Sequence, residues 1–81
     1  MLNFKAVYAF SGTRMIQVTI NGQNESLDEG LSVLALLEGR GLTGKRLAVE
    51  RNGEIVPKGR HGETVLAEGD RLEIVVAVGG G

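Results

Sequence analysis

The sequence contains no cysteine and no tryptophan, and only one proline and one histidine. Without cysteine there is no disulfide framework, no cysteine-ligated zinc or iron–sulfur centre and no thiol nucleophile. A surplus of one charge sign is also missing. Nine Lys and Arg against ten Asp and Glu leave a formal net charge of −1, which provides no general attraction to phosphate backbones or anionic membranes. Neither nucleic acid nor membrane is therefore an expected partner. No stretch approaches the roughly 20 apolar residues needed to span a bilayer. A chain of this size buries only about 60% of the surface its unfolded form exposes, so it builds one thin core with little room for a deep catalytic cleft.

What is present is unevenly distributed. Phe4, Tyr8 and Phe10 are the only aromatic residues, and none occurs from Met15 onward. From that position the balance also turns acidic, with seven Lys and Arg against ten Asp and Glu. The shift predicts three parts. Residues 1–14 form an N-terminal extension, read as a leader, a mis-set start or an expression remnant; 15–78 form the folded domain; 79–81 form a flexible glycine tail. The period-two spacing of Phe4, Ala6, Tyr8 and Phe10 leaves an extra strand open as an alternative. Asn3 and Lys5 interrupt the apolar stretch at 2–10 and no small-residue cleavage pattern follows, so a secretory signal is not expected and a cytoplasmic protein is.

Within the domain, Ile16, Val18 and Ile20 alternate with Gln17 and Thr19, the period of a half-buried strand. Asn21-Gly22 is a two-residue hairpin signal because both residues tolerate positive φ, and it predicts a short return strand at 25–27. Ser32 is a candidate N-cap for a helix carrying Val33, Leu34, Leu36 and Leu37, which Gly39 and Gly41 end with Arg40 beside them. A third strand places Leu47 and Val49 on one face and Ala48 and Glu50 on the other. Asn52-Gly53 is a second hairpin turn, followed by a brief strand at 54–56 that Pro57 stops. Residues 58–63 read as a solvated connection, Glu68-Gly69-Asp70 as a tight turn, and 71–78 as the longest strand. The order hairpin, helix, hairpin, strand predicts an α+β fold: a small mixed sheet with one helix packed across one face, the β-grasp or ubiquitin-like arrangement.

Side-chain catalysis has few candidates. His61 is the only histidine, and although Glu63 is nearby in sequence the segment reads as a solvated loop, so no metal or acid–base site is expected. Ser11, Ser26 and Ser32 have no context that would activate a nucleophile. The segment at 39–44 fits G-x-G-x-x-G literally, but it follows a helix instead of opening one, and reads as a helix terminator. The C-terminus is different. Val78-Gly79-Gly80-Gly81 extends about 13 Å beyond the sheet, and glycine, having no Cβ, threads a narrow channel and approaches a bound nucleotide closely. Its carboxylate, ionised above a pKa of about 3.5, is a candidate nucleophile toward the α-phosphate of ATP when a partner supplies Mg²⁺ and cations. A docking patch is expected next to the tail: with Leu72, Ile74 and Val76 facing the helix, Val75 and Ala77 face outward, joined by Ala48 and rimmed by Arg71 and Glu73.

Three segments together resemble a known family. Asn52-Gly53-Glu54-Ile55-Val56-Pro57-Lys58, Glu68-Gly69-Asp70-Arg71-Leu72-Glu73-Ile74-Val75 and the terminal Gly80-Gly81 are similar to the ThiS family of thiamine-pathway sulfur carriers. Ser32-Val33-Leu34-Ala35-Leu36-Leu37 fits the same family, and the resemblance covers residues 15–81. It implies a β-grasp carrier that is not itself an enzyme and binds no cofactor. Its terminal residue, Gly81 here, is adenylated by a ThiF-like adenylyltransferase with ATP and Mg²⁺. Gly81 then receives sulfur originating from a cysteine desulfurase as a thiocarboxylate, and delivers it to the thiazole synthase ThiG. Gly80 is the required neighbour, and Gly79 a further small residue for the partner's channel. A molybdopterin-type carrier, related to MoaD, and a ubiquitin-like interaction or conjugation module remain as alternatives.

Overall fold

The computed structural model describes residues 14–77. Residues 1–13 of the expected 1–14 extension, residue 78 and the expected tail at 79–81 lie outside the described residues. Among the described residues there are five strands, one α-helix and one 3₁₀ turn: β1 (Met15–Ile20), β2 (Gln23–Asp28), α1 (Val33–Gly39), β3 (Leu47–Arg51), β4 (Glu54–Ile55), the 3₁₀ turn at Lys58–Arg60, and β5 (Arg71–Val76). The sheet order is β2-β1-β5-β3-β4. β5 runs parallel to β1 and antiparallel to β3, so the mixed sheet and single helix of the expected β-grasp are present.

Both Asn-Gly pairs form hairpin turns with positive φ at each residue: 50° and 85° at Asn21 and Gly22, 53° and 88° at Asn52 and Gly53. Two consecutive positive φ values match the twist of the flanking strands. The first turn pairs Ile20 with Gln23 and continues to Met15 opposite Asp28. β2 is therefore longer than the 25–27 read from its own composition. The polar residues Gln23 and Asn24 are strand because the hairpin register carries them, with Thr19 Oγ1 and Asn24 Oδ1 3.1 Å apart. β5, in turn, ends at Val76 and is no longer than β1 or β2.

α1 begins at Ser32, whose Oγ accepts a hydrogen bond from the Ala35 N–H at 3.0 Å. Two further N–H groups of the first turn reach carbonyls of the following loop, Val33 to Thr64 at 2.9 Å and Leu34 to His61 at 2.9 Å. At the other end the Gly41 N–H returns to Glu38 and the Leu42 N–H to Leu37, with Gly41 at φ 71°. That is the paired C-terminal bonding which closes a helix on a left-handed glycine. The G-x-G-x-x-G segment is thus a helix stop, as its context indicates.

Val33, Leu36 and Leu37 of the helix pack with Ile16, Val18 and Ile20 of β1, Val49 of β3 and Leu72 and Ile74 of β5. Val56 and Leu66 complete this core. The connection at 58–63 is exposed, as expected, at every residue except His61, which retains only 6% of its exposure. The Leu34 N–H bond to the His61 carbonyl ties that residue to the helix N-terminus.

Candidate functional site

The site is built where β5 leaves the sheet. β5 joins β1 only through Thr19–Arg71 and Ile20–Leu72; the first half of β1 is paired instead by the 68–70 turn, where Gly69 N–H donates to Gln17 O at 2.7 Å. β5 therefore projects past the end of β1. Asn21 bridges the step, its Nδ2 donating to Ile74 O at 3.1 Å and its Oδ1 accepting from Ile74 N–H at 2.7 Å. On the other side, β3 pairs with β5 along its whole length, from Leu47–Val76 to Arg51–Leu72. The Ala77 N–H adds a bond of 2.8 Å to Arg46 O.

This register places Ala48 directly opposite Val75. Both are exposed on the sheet face away from the helix, Val75 at 63%, and Ala77 is exposed one residue beyond β5. The three apolar residues of the expected patch are thus together at the root of the tail. Arg71 is exposed on the same strand, but four residues earlier, about 13 Å away. The nearer rim is acidic: Glu73 stands opposite Glu50, and Glu50 is opposite the exposed Ile55. Alternation puts Glu50 on the same face as Ala48, but only the β3–β5 register shows it opposite Glu73 at the rim of the patch. Gly79, Gly80 and Gly81 lie outside the described residues.

A second polar centre holds the base of β5. Asp70 is 5% exposed and accepts from Ala67 N–H at 2.8 Å, Arg51 Nε at 2.8 Å and Asn52 Nδ2 at 3.0 Å. Burial by itself would push its carboxyl up; those hydrogen bonds and the charge of Arg51 outweigh it and hold the carboxyl below its ordinary value. Sequence reading made Asp70 a turn residue and missed this role. His61 supplies structure too: its Nε2 lies 3.1 Å from Val56 O, and since a carbonyl only accepts, Nε2 is the protonated nitrogen. Among the described residues no cluster of three His, Asp or Glu side chains is placed to hold a metal, and no helix is long and apolar enough to cross a membrane.

The chain is similar to known proteins over the same region. Residues 16–81 match the sequence model described as the ThiS family. A thiazole synthase from Paramagnetospirillum magneticum is 41% identical over 66 residues, which are 82% of this chain and 20% of that protein. The chain thus spans about one fifth of the length of the thiazole synthases it matches. An uncharacterized protein, ycf40, from Porphyra purpurea is 33% identical over 66 residues and 93% covered. Among solved structures, the thiamine biosynthesis protein ThiS from Geobacter metallireducens superposes with a TM-score of 0.69 at 30% identity, covering 82% of this chain and all of that one. With the mixed sheet, the capped helix and the family match in agreement, the chain belongs to the ThiS family.

Proposed function

We propose that this chain carries sulfur on the α-carboxyl group of Gly81 and donates it for thiazole formation. The observation that supports this reading is the position of Val75 on the strand that leads into the glycine tail, with Ala77 just beyond that strand and Ala48 opposite Val75 on β3. A partner that seats on them holds the domain outside while Gly79-Gly80-Gly81 enters its active site. The opposed Glu50 and Glu73 repel one another across the sheet, and a cation on the partner's rim relieves that repulsion, adding direction to the docking.

In the first step a Gly81 carboxylate oxygen attacks the α-phosphorus of ATP in a ThiF-like adenylyltransferase, and pyrophosphate leaves. Mg²⁺ held by that enzyme stabilises the charge on the phosphates. The acyl adenylate places a good leaving group on the carbonyl carbon. A persulfide whose outer sulfur originates from a cysteine desulfurase adds there and AMP departs, leaving an acyl disulfide; a thiol then cleaves the S–S bond, being oxidised to a disulfide as it releases the thiocarboxylate. The carrier has no thiol that would compete for the activated carbonyl. The thiocarboxylate sulfur then passes to a ThiG-type thiazole synthase, a recipient supported by the 41% identity to part of one.

Intact-protein mass spectrometry tests the reading. Incubation with ATP, the activating enzyme and a sulfur source should add about 16 Da as oxygen is replaced by sulfur, with release of AMP. A protein lacking Gly81 should show neither. If the shortened protein still gains the mass, the terminal carboxyl group is not the carrier.

A further inference from the structure

The domain is acidic overall, with ten Asp and Glu against seven Lys and Arg from residue 15 onward, yet one surface has the opposite sign. A groove of about 620 Å³ runs between α1, the loop at 42–47 and the segment at 58–62. Leu34, Leu37, Leu42 and Leu47 form its floor, with Leu34 38% exposed. Lys45, Arg46 and Lys58 line it, and no carboxylate does. Three of the domain's seven cations are thus gathered around leucines, and none of the three makes an ion pair among the described residues.

We propose that this groove docks an acidic, aliphatic segment of a partner protein. Aliphatic side chains rest on the leucine floor, and carboxylates meet Lys45, Arg46 and Lys58. The charge pattern selects this occupant: an apolar floor alone would take any hydrophobic chain, whereas three unpaired cations with no intervening carboxylate reject a basic one. The groove also adjoins the root of the tail, since Arg46 O accepts the Ala77 N–H and Leu47 pairs with Val76. That the occupant belongs to the protein handling the tail rests on the sulfur-carrier reading; the chemistry of the groove does not.

Gly62 supplies a clean block. Its φ lies outside the left-handed region, and a Cβ there would stand 3.6 Å from Leu34 Cδ2, an ordinary contact. A larger side chain at 62 therefore grows over Leu34 without backbone strain. The test pans a random dodecapeptide phage library against the 81-residue protein and titrates synthetic copies of the selected peptides into ¹⁵N-labelled protein. The expected result is enrichment of Asp and Glu with Leu and Ile, and amide shifts confined to Leu34, 42–47 and 58–62. Affinity should fall at least tenfold both in the double variant Lys45→Glu/Lys58→Glu and in Gly62→Leu. Failure to enrich, basic or neutral peptides, shifts on the outer sheet face, or affinity unchanged in the double variant would each overturn the proposal. So would phosphatidylglycerol vesicles shifting the same amides without acidic enrichment, which would assign the groove to a membrane surface. Panning involves neither ATP nor the tail, so its failure leaves the thiocarboxylate reading standing.

Discussion

The side-chain amide of Asn21 pairs with the backbone of Ile74 as a strand residue would, donating to its carbonyl at 3.1 Å and accepting from its N–H at 2.7 Å. β1 has already ended at Ile20, so this amide extends the β1–β5 ladder by one step after the β1 backbone has turned away. The same residue holds the positive φ of the hairpin. One asparagine therefore performs two tasks, and they are separable by substitution.

Asn21→Gly keeps the freedom to adopt positive φ and removes both hydrogen bonds. Urea unfolding should show a loss of about 2 kcal/mol, at about 1 kcal/mol per net hydrogen bond, with an unchanged denaturant slope. Asn21→Ala, which also strains the turn, should lose more. Equal stability of Asn21→Gly and the parent would show that the amide contributes nothing to the ladder.

Asp70 carries a pH prediction. Its carboxyl is held below its ordinary value in the folded protein by Ala67, Asn52 and Arg51 against the opposing effect of burial. A depressed folded value means stability that is fully present above the unfolded value, about 3.9, and lost as pH falls through the folded one. Unfolding between pH 7 and pH 2 should show that decline, and Asp70→Asn should flatten it. At pH 7 the variant should be weaker by about 2 kcal/mol, because Arg51 and the Ala67 N–H lose a charged acceptor. A parallel pH profile for parent and variant would remove Asp70 from the acid transition.

His61→Leu tests whether the histidine serves folding or chemistry. It leaves the buried Val56 carbonyl without its donor, and should cost about 1–3 kcal/mol in chemical denaturation. Thiocarboxylate formation on Gly81 should continue at the parent rate below the melting temperature. A variant of full stability that no longer accepts sulfur would reverse that assignment.

Val75→Glu changes an exposed residue that makes no core contact, so the melting temperature should stay within about 2–4 °C of the parent's. Calorimetric titration against a ThiG-type synthase should show binding weakened at least tenfold, on the order of 1.4 kcal/mol. The added carboxylate stands beside Glu73 and Glu50 in the sheet, so high salt should restore part of the loss. Affinity equal to the parent's would place the docking surface elsewhere.

Local conformational preference explains what was legible in the sequence. Asn21-Gly22 and Asn52-Gly53 announce hairpins because few residue pairs accept two successive positive φ values. Ser32 and Gly41 announce the helix ends because each satisfies backbone groups that a helix leaves unpaired. Period-two alternation identified which residues of β1, β3 and β5 turn inward. The outward direction of Val75 and Ala48 was readable in this way, and so was the chemistry available to a terminal glycine carboxylate.

Tertiary structure decided the rest, because it depends on residues far apart in sequence. Composition predicts a solvated loop at 58–63, and the segment is exposed except at His61, which is buried where its carbonyl accepts from the Leu34 N–H at the start of α1. Asp70 read as a turn residue until Arg51 and Asn52 arrived from another hairpin to hold its charge. Only the β3–β5 register sets Ala48 against Val75 and Glu50 against Glu73, and only the packing of loop 42–47 beside 58–62 gathers Lys45, Arg46 and Lys58 around one groove. Turns and caps are determined within a few residues of chain, whereas registers, buried charges and surface patches exist only after separate segments have met.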